Sequence, residues 1–265
     1  SSIFFGWGDY IVSALENVFV AEFNSASLAS CHGVRRDEFH VGAKHRLNLF
    51  NNAFDMCYAW EIHHMMCDIA KGERRVWDLR NTMYADRERY PNSAMKMMFT
   101  SNHDENSWSG SEFDRFGAAR EAMTALTFVW EAAMPLIYTG QEIGWKKRFE
   151  FFQKDPVPAW EENEYTDFYK ELIAMRREHP AIVDGGFEFL MMDHPQMVMY
   201  LRKCMRETLL VVCNFSDETV KVEIPEEIKG TKWERILSNY ADTTPSIEGR
   251  TEWKPWEAEV YTLAR

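Results

Sequence analysis

The feature that most narrows what this chain can fold into is a change of period near residue 180. Before that point, short apolar or β-branched runs alternate with stretches whose apolar residues recur every three or four positions. Residues 18–22, 53–58, 95–102 and 134–139 are the strand candidates, and 60–70 and 113–133 carry the helical period. Alternation of this kind predicts a parallel α/β layer. After His179-Pro180 and Gly185-Gly186 the helical period stops. Strand-length runs follow instead over 187–192, 197–203, 208–214, 219–224, 233–237 and 259–263, with turn residues such as His194-Pro195 and Ser216-Asp217 between them. This second part predicts a small antiparallel β-sandwich. The boundary falls near residue 182, dividing the chain into 1–181 and 182–265.

Charge and composition exclude several classes of function. A net charge of −12 gives no basic surface for a phosphate backbone, so no nucleic-acid partner is expected. No run approaches the roughly 18 apolar residues of a membrane span, so no membrane partner is expected either. Residues 1–20 contain Asp9 and Glu16 and lack a basic start, unlike a signal peptide, and the chain begins without Met, as a processed protein or a piece of a longer one would. The five cysteines form no CxxC pair and suggest neither a zinc site nor a disulfide framework. Glu61 and His64 have the spacing of a di-iron ligand pair, but no second copy accompanies them, so no metal is expected in this chain. The 10 Trp, 10 Tyr and 18 Phe fit a large core first and a sugar-binding cleft second.

Two strand ends carry acids. Glu22 closes the apolar run Val18-Phe19-Val20-Ala21, and His103-Asp104-Glu105 follow the run MKMMFTSN. In a parallel barrel the C-terminal strand ends line the active site, so carboxylates there are candidates for catalysis. Glycoside hydrolysis needs such a pair: one acid to protonate the leaving oxygen, and one carboxylate to attack or stabilise the oxocarbenium-like centre. Glu22 lies among Val20, Ala21 and Phe23, and an apolar wall raises a carboxyl pKa and keeps it protonated for the acid role.

The segment Phe99-Thr100-Ser101-Asn102-His103-Asp104 closely resembles the F-x-x-N-H-D segment after the seventh barrel strand of the α-amylase family, glycoside hydrolase family 13. Met134-Pro135-Leu136-Ile137-Tyr138-Thr139-Gly140-Gln141-Glu142 is similar to that family's eighth-strand segment, and the run ending in Glu22 to its fifth. The resemblance implies an α/β fold in which strands five to eight of a (β/α)8 TIM barrel precede the β-sandwich. It implies a retaining hydrolase of α-linked glucan oligosaccharides. Glu22 would be the general acid/base and Asp104 the third carboxylate, binding sugar hydroxyls and helping to distort the ring. His103 would bind hydroxyls of the same ring, Tyr138 and Glu142 would support the pocket floor, and Trp108 and Trp145 are candidate stacking platforms.

The departure from the family pattern is as informative as the match. The family's nucleophile is an Asp in a G-[FY]-R-x-D segment, and no such segment occurs here; Gly6-Trp7-Gly8-Asp9 lacks the Arg. The inserted domain, often calcium-binding, is missing as well, so no cofactor is expected in this chain. Without a nucleophile, double displacement cannot form its glycosyl-enzyme intermediate, and the chain alone is expected to be inactive. Half a barrel would also leave apolar surface and strand edges uncovered, which predicts self-association or association with an N-terminal half. Two other functions use the same residues: transglycosylation or sucrose/trehalose chemistry, and carbohydrate binding without catalysis. The stretch 25–51 has no clear period and reads as a surface excursion.

Overall fold

The computed structural model describes residues 20, 21, 55–191 and 193–263, which divide into two units. Asp9, Glu22 and the stretch 25–51 lie outside the described residues. In the first unit, strands β1 (Val20–Ala21), β2 (Met56–Tyr58) and β3 (Met95–Met98) run parallel, with Val20 opposite Met56 and Met56 opposite Met95. Met56 and Cys57 are buried, as parallel strands require. Lys96 is buried on β3 and keeps its charge balanced locally. Its ammonium lies 3.0 Å above the Tyr90 ring and 3.4 Å from the Asp86 carboxylate.

The second unit begins with α1 (Trp60–Ala70), whose period was plain in the sequence, and buries Ile62, His63, Met66 and Ile69. Helix α2 (Val76–Arg89) follows, with Val76, Leu79 and Met83 on its inner face. The strand expected over 95–102 stops at Met98, and the chain runs on into α3 (His103–Ser109). The long helix expected over 113–133 is instead α4 (Glu112–Phe116), a 3₁₀ turn (Gly117–Ala119) and α5 (Arg120–Val129). Gly117 sits at φ 51°, outside helical backbone space, and this breaks the run that periodicity alone joined. Helix α5 is buried at Arg120 and from Ala122 to Val129, the mark of a central helix. Strand β4 (Ala133–Pro135) comes next, and just beyond it the Leu136 N–H donates to the Met98 carbonyl at 2.8 Å. Helices α6 (Glu164–Glu178) and α7 (Ala181–Asp184) complete this part.

From Gly186 onward the strands are antiparallel. β5 (Gly186–Met191), β6 (Met197–Lys203), β7 (Thr208–Asn214), β9 (Trp233–Ser238) and β11 (Ala258–Leu263) form one sheet in the order β5-β6-β7-β11-β9. β8 (Val220–Lys221) and β10 (Glu252–Trp253) form a separate two-stranded ribbon. The large sheet is buried on both faces, and the period of two decides which residue faces where. Val198, Tyr200, Leu209, Val211 and Val260 join the core that holds α5 and α6. Met197, Met199, Leu210, Val212 and Tyr261 face a second core with Val220 and Trp253 of the ribbon. The expected two-sheet sandwich is therefore a single five-stranded sheet between helices and a short ribbon. Helices cover one face of the large sheet, and α5 is buried along nearly its whole length among them. Trp130 and Tyr200 meet there edge to face, and the Tyr200 hydroxyl donates to the Val129 carbonyl at 3.2 Å.

One buried ion network locks β9, β11 and the residues before β10. Glu257 and Glu259 are fully buried. Arg250 meets Glu257 at 2.6 Å and Glu259 at 2.5 Å, Arg235 meets Glu259 at 2.9 Å, and the Tyr261 hydroxyl donates to Glu259 at 2.7 Å. Removing one member of such a network leaves the other charges buried and uncompensated. Glu259→Ala is expected to lower the free energy of unfolding by about 3–5 kcal/mol in urea titrations. A loss below about 1 kcal/mol would show that Arg235 and Arg250 find water instead.

Candidate functional site

The site is built where β3 and β4 end. Asn102 is extended and buried, and its Oδ1 accepts the Glu105 N–H at 2.8 Å, which starts α3. That cap places Asp104 and Glu105 in the first turn, where the free N–H groups favour negative charge. Gly110, at φ 97°, ends α3, and Ser111 starts α4 through a reciprocal pair with Asp114. The two short helices therefore hang directly from the strand end.

Arg115 of α4 reaches back and pins that end. Its guanidinium donates to the Thr100 carbonyl at 2.7 Å, to the Ser101 hydroxyl at 2.9 Å and to the Gly110 carbonyl at 3.2 Å. Behind it lies His63, fully buried on α1, with Nδ1 3.0 Å from the Phe99 carbonyl and its ring stacked on Phe99. Burial holds the His63 pKa below its ordinary value. Glu105 closes the group, 3.5 Å from His63 and 3.8 Å from Arg115. Its carboxyl is held at about 2, first by the hydrogen bond with His63 and then by the neighbouring charges, against the opposing effect of burial.

A second buried group joins this strand end to the one after β4. Glu112 of α4 accepts from the Thr100 hydroxyl at 3.0 Å and from Gln141 Nε2 at 2.5 Å. Gln141 in turn accepts the Tyr138 N–H at 2.6 Å. One carboxylate thus spans both segments. Burial raises the Glu112 pKa, and Arg120, 3.7 Å away, opposes it. Arg120 lies over the rings of Phe113 and Tyr165, at 4.8 and 4.5 Å. The turn that follows depends on glycine. Gly140 is left-handed, and a Cβ there would lie 2.8 Å from the Trp145 side chain; at left-handed Gly144 it would lie 2.2 Å from Tyr165.

The residues singled out in the sequence take the following places. Asp104 and His103 stand at the solvent side, with side chains 32% and 47% exposed and 3.6 Å apart. Burial raises the Tyr138 pKa first, and the Asp104 charge adds to that. Glu142 is half-buried, with its carboxyl pushed up by burial, and the Thr166 hydroxyl donates to its carbonyl at 2.7 Å. Trp108 is 59% exposed on α3, whereas Trp145 packs beneath Gly140. Glu22 lies outside the described residues. Sequence reasoning missed Glu112; the Ser111-x-x-Asp114 pair marks a helix start, but nothing in it says that Glu112 points inward. It missed Arg115, His63 and the Phe151-Phe152 pair as well.

Two expectations follow from this geometry. Glu112→Ala, which strands Arg120, Gln141 and Thr100, should cost about 3–5 kcal/mol, while Glu112→Gln should cost under about 1 kcal/mol, since the pKa is already raised. Equal losses in chemical denaturation would contradict the bridging role. A depressed folded-state pKa stabilises above the unfolded value of 4.5 and ceases to as pH falls toward 2, so Glu105 should matter only above that window. Wild type should therefore lose on the order of 1 kcal/mol more than Glu105→Gln between pH 5 and pH 2. Parallel pH–stability curves for the two would contradict it.

Comparison with known proteins matches part of the chain to a described domain. Residues 187–254 match the family described as Maltogenic Amylase, C-terminal domain. The oligo-1,6-glucosidase of Heyndrickxia coagulans is 37% identical over 98 residues, which is 37% of this chain and 16% of that protein. Among solved structures, an Anoxybacillus α-amylase matches 92% of this chain and 52% of its own, with a TM-score of 0.66 and 18% identity. The trehalose-6-phosphate hydrolase of Bacillus licheniformis matches 96% of this chain and 57% of its own, with a TM-score of 0.61 and 19% identity. The chain thus spans about half the length of the solved structures it matches. Residues 187–254 thus match a maltogenic amylase C-terminal domain, and the chain is similar in fold over most of its length to these two glycoside hydrolase structures.

Proposed function

We propose that this chain is the C-terminal part of a retaining α-glucan hydrolase, with β1 to β4 as strands five to eight of its (β/α)8 barrel and the β domain beginning near residue 182. The observation that carries the reading is the placement of His103 and Asp104 in the first turn of α3, on a strand end tied through the buried Glu112–Gln141 bridge to the segment that holds Tyr138. Asp104, with one face open, can accept hydrogen bonds from two neighbouring sugar hydroxyls. His103 can bind one of them from the side. Such bonds strengthen as positive charge grows at the anomeric carbon.

In this reading Glu22 donates its proton to the leaving glycosidic oxygen while an aspartate from elsewhere attacks the anomeric carbon. Glu22 then takes a proton from water, which displaces the aspartate and restores the original anomeric configuration. No segment of the chain matches the family's nucleophile segment, so the chain alone binds sugar without turning it over. It follows that its working form has a protein partner, either an upstream half or a second copy, to cover the edge of a half-barrel. The relative named for α-1,6 linkages makes isomaltooligosaccharides substrates to assay beside maltodextrins.

Incubated alone with maltodextrin, isomaltose or an aryl maltoside, the chain is expected to release no sugar above the blank. Supplied with an upstream half that bears the aspartate, it should hydrolyse at least one of them with retention. Asp104→Asn should then lower kcat by about 10²–10³. Longer oligosaccharides among the products would favour transglycosylation. Binding with no turnover in the completed protein would favour a non-catalytic carbohydrate-binding role and overturn this proposal.

A further inference from the structure

The turn between β5 and β6 is closed by a histidine that can hold it in one protonation state only. His194 Nδ1 lies 3.2 Å from the Gln196 backbone nitrogen and 3.0 Å from the Met197 backbone nitrogen. A backbone N–H can only donate, so the ring nitrogen facing both must accept, with the ring proton on Nε2. The imidazole thus takes the part that an Asn or Asp side chain takes in many turns, bonding to amides just ahead of it in the chain. An Asn oxygen accepts at every pH. A protonated Nδ1 would instead point a hydrogen at two other N–H groups.

Three elements meet at this turn. The Pro195 carbonyl accepts the N–H of Val76, the first residue of α2, at 3.0 Å, and Asp193 pairs with Arg80 of the same helix at 2.9 Å. Tyr84, one turn further along α2, lies 6.3 Å from Phe189 of β5. Val76, Arg80 and Tyr84 are four residues apart, so one edge of α2 rests on the β5–β6 hairpin. The Gln196 carbonyl also accepts the Phe215 N–H at 2.8 Å, which ties the turn to the end of β7. Asp193 is exposed, and an ion pair of that kind adds little, so the joint depends on the backbone shape that His194 sets.

We propose that His194 is an acid-released latch: protonation of its imidazole opens the turn over 194–197 and loosens the joint between α2 and the β5–β6 hairpin. Burial holds the His194 pKa below its ordinary value of 6.5, so folding favours the neutral, accepting ring. A folded-state pKa depressed in this way contributes stability that is complete above 6.5 and is lost as pH falls below it. The charged groups on the elements that meet here are Asp193 and Arg80, paired with each other, Asp78, which accepts the Arg75 N–H at 3.1 Å, and Glu218, which accepts from the Gln196 side chain at 3.0 Å. None of them contributes to the shift, which comes from burial alone.

Amide hydrogen exchange of the whole chain, read at Gln196 and Met197 from about pH 7.5 to about pH 5 and corrected for the intrinsic rate, tests the latch. In wild type, protection of these two amides is expected to fall about tenfold across that range, while amides in the middle of β6 keep theirs. His194→Asn should hold its protection at the lower pH, and His194→Ala should lack it throughout. Equal pH dependence in wild type and His194→Asn overturns the proposal. Imidazole nitrogen NMR of wild type gives a reading that needs no variant. Nδ1 bare at about pH 7.5 and gaining its proton as protection is lost supports the latch. A proton already on Nδ1 at that pH, or protection that outlasts protonation, overturns it.

Discussion

The arrangement of this protein's site turns on one buried carboxylate. Glu112 receives the Thr100 hydroxyl and the Gln141 amide, and so holds the segment after β3 against the segment after β4. Those segments carry His103 and Asp104 on one side and Tyr138 on the other. A carboxylate is costly to bury, and here Arg120 offsets only part of that cost. Its benefit is positional. Two backbone segments that share one hydrogen-bonded acceptor cannot drift apart without stranding several polar groups at once.

The same logic extends outward from that point. Arg115 fixes the backbone at Thr100 and Ser101, His63 and Phe99 fill the space behind it, and Asn102 sets the first turn of α3. The acids that face solvent are thereby carried by elements tied down from underneath. Further away, α5 is gripped between helices and the large sheet, and the Glu257–Glu259–Arg250–Arg235 network stiffens the far edge of that sheet. Stability is concentrated beneath the site, and open chemistry is left on top of it.

Much of this was legible in the residues. The helix over 60–70 and the strands over 197–203 and 208–214 followed from periodicity alone, because their apolar residues recur without interruption. The break at Gly117 was not legible, since apolar spacing continues across it while the backbone does not. The second sheet was over-read: Val220–Lys221 and Glu252–Trp253 pair only briefly, and helices supply the cover expected from strands. At the site, the acids at strand ends were visible by position. Glu112, Arg115 and His63 were not, because a buried charged group is recognised by its partners, and several of those lie from 12 to 52 positions away in the chain. Phe151 and Phe152 read as core residues by composition and are exposed because their loop is anchored elsewhere.

Asp104 and His103, held over the Glu112 bridge, are where sugar is expected to bind. A crystal structure of the chain grown with maltotriose addresses that directly. The predicted result is a glucosyl ring whose hydroxyls lie within hydrogen-bond distance of the Asp104 carboxylate and the His103 ring, with Tyr138 alongside. Sugar bound at another surface, with Asp104 facing only water, would contradict it.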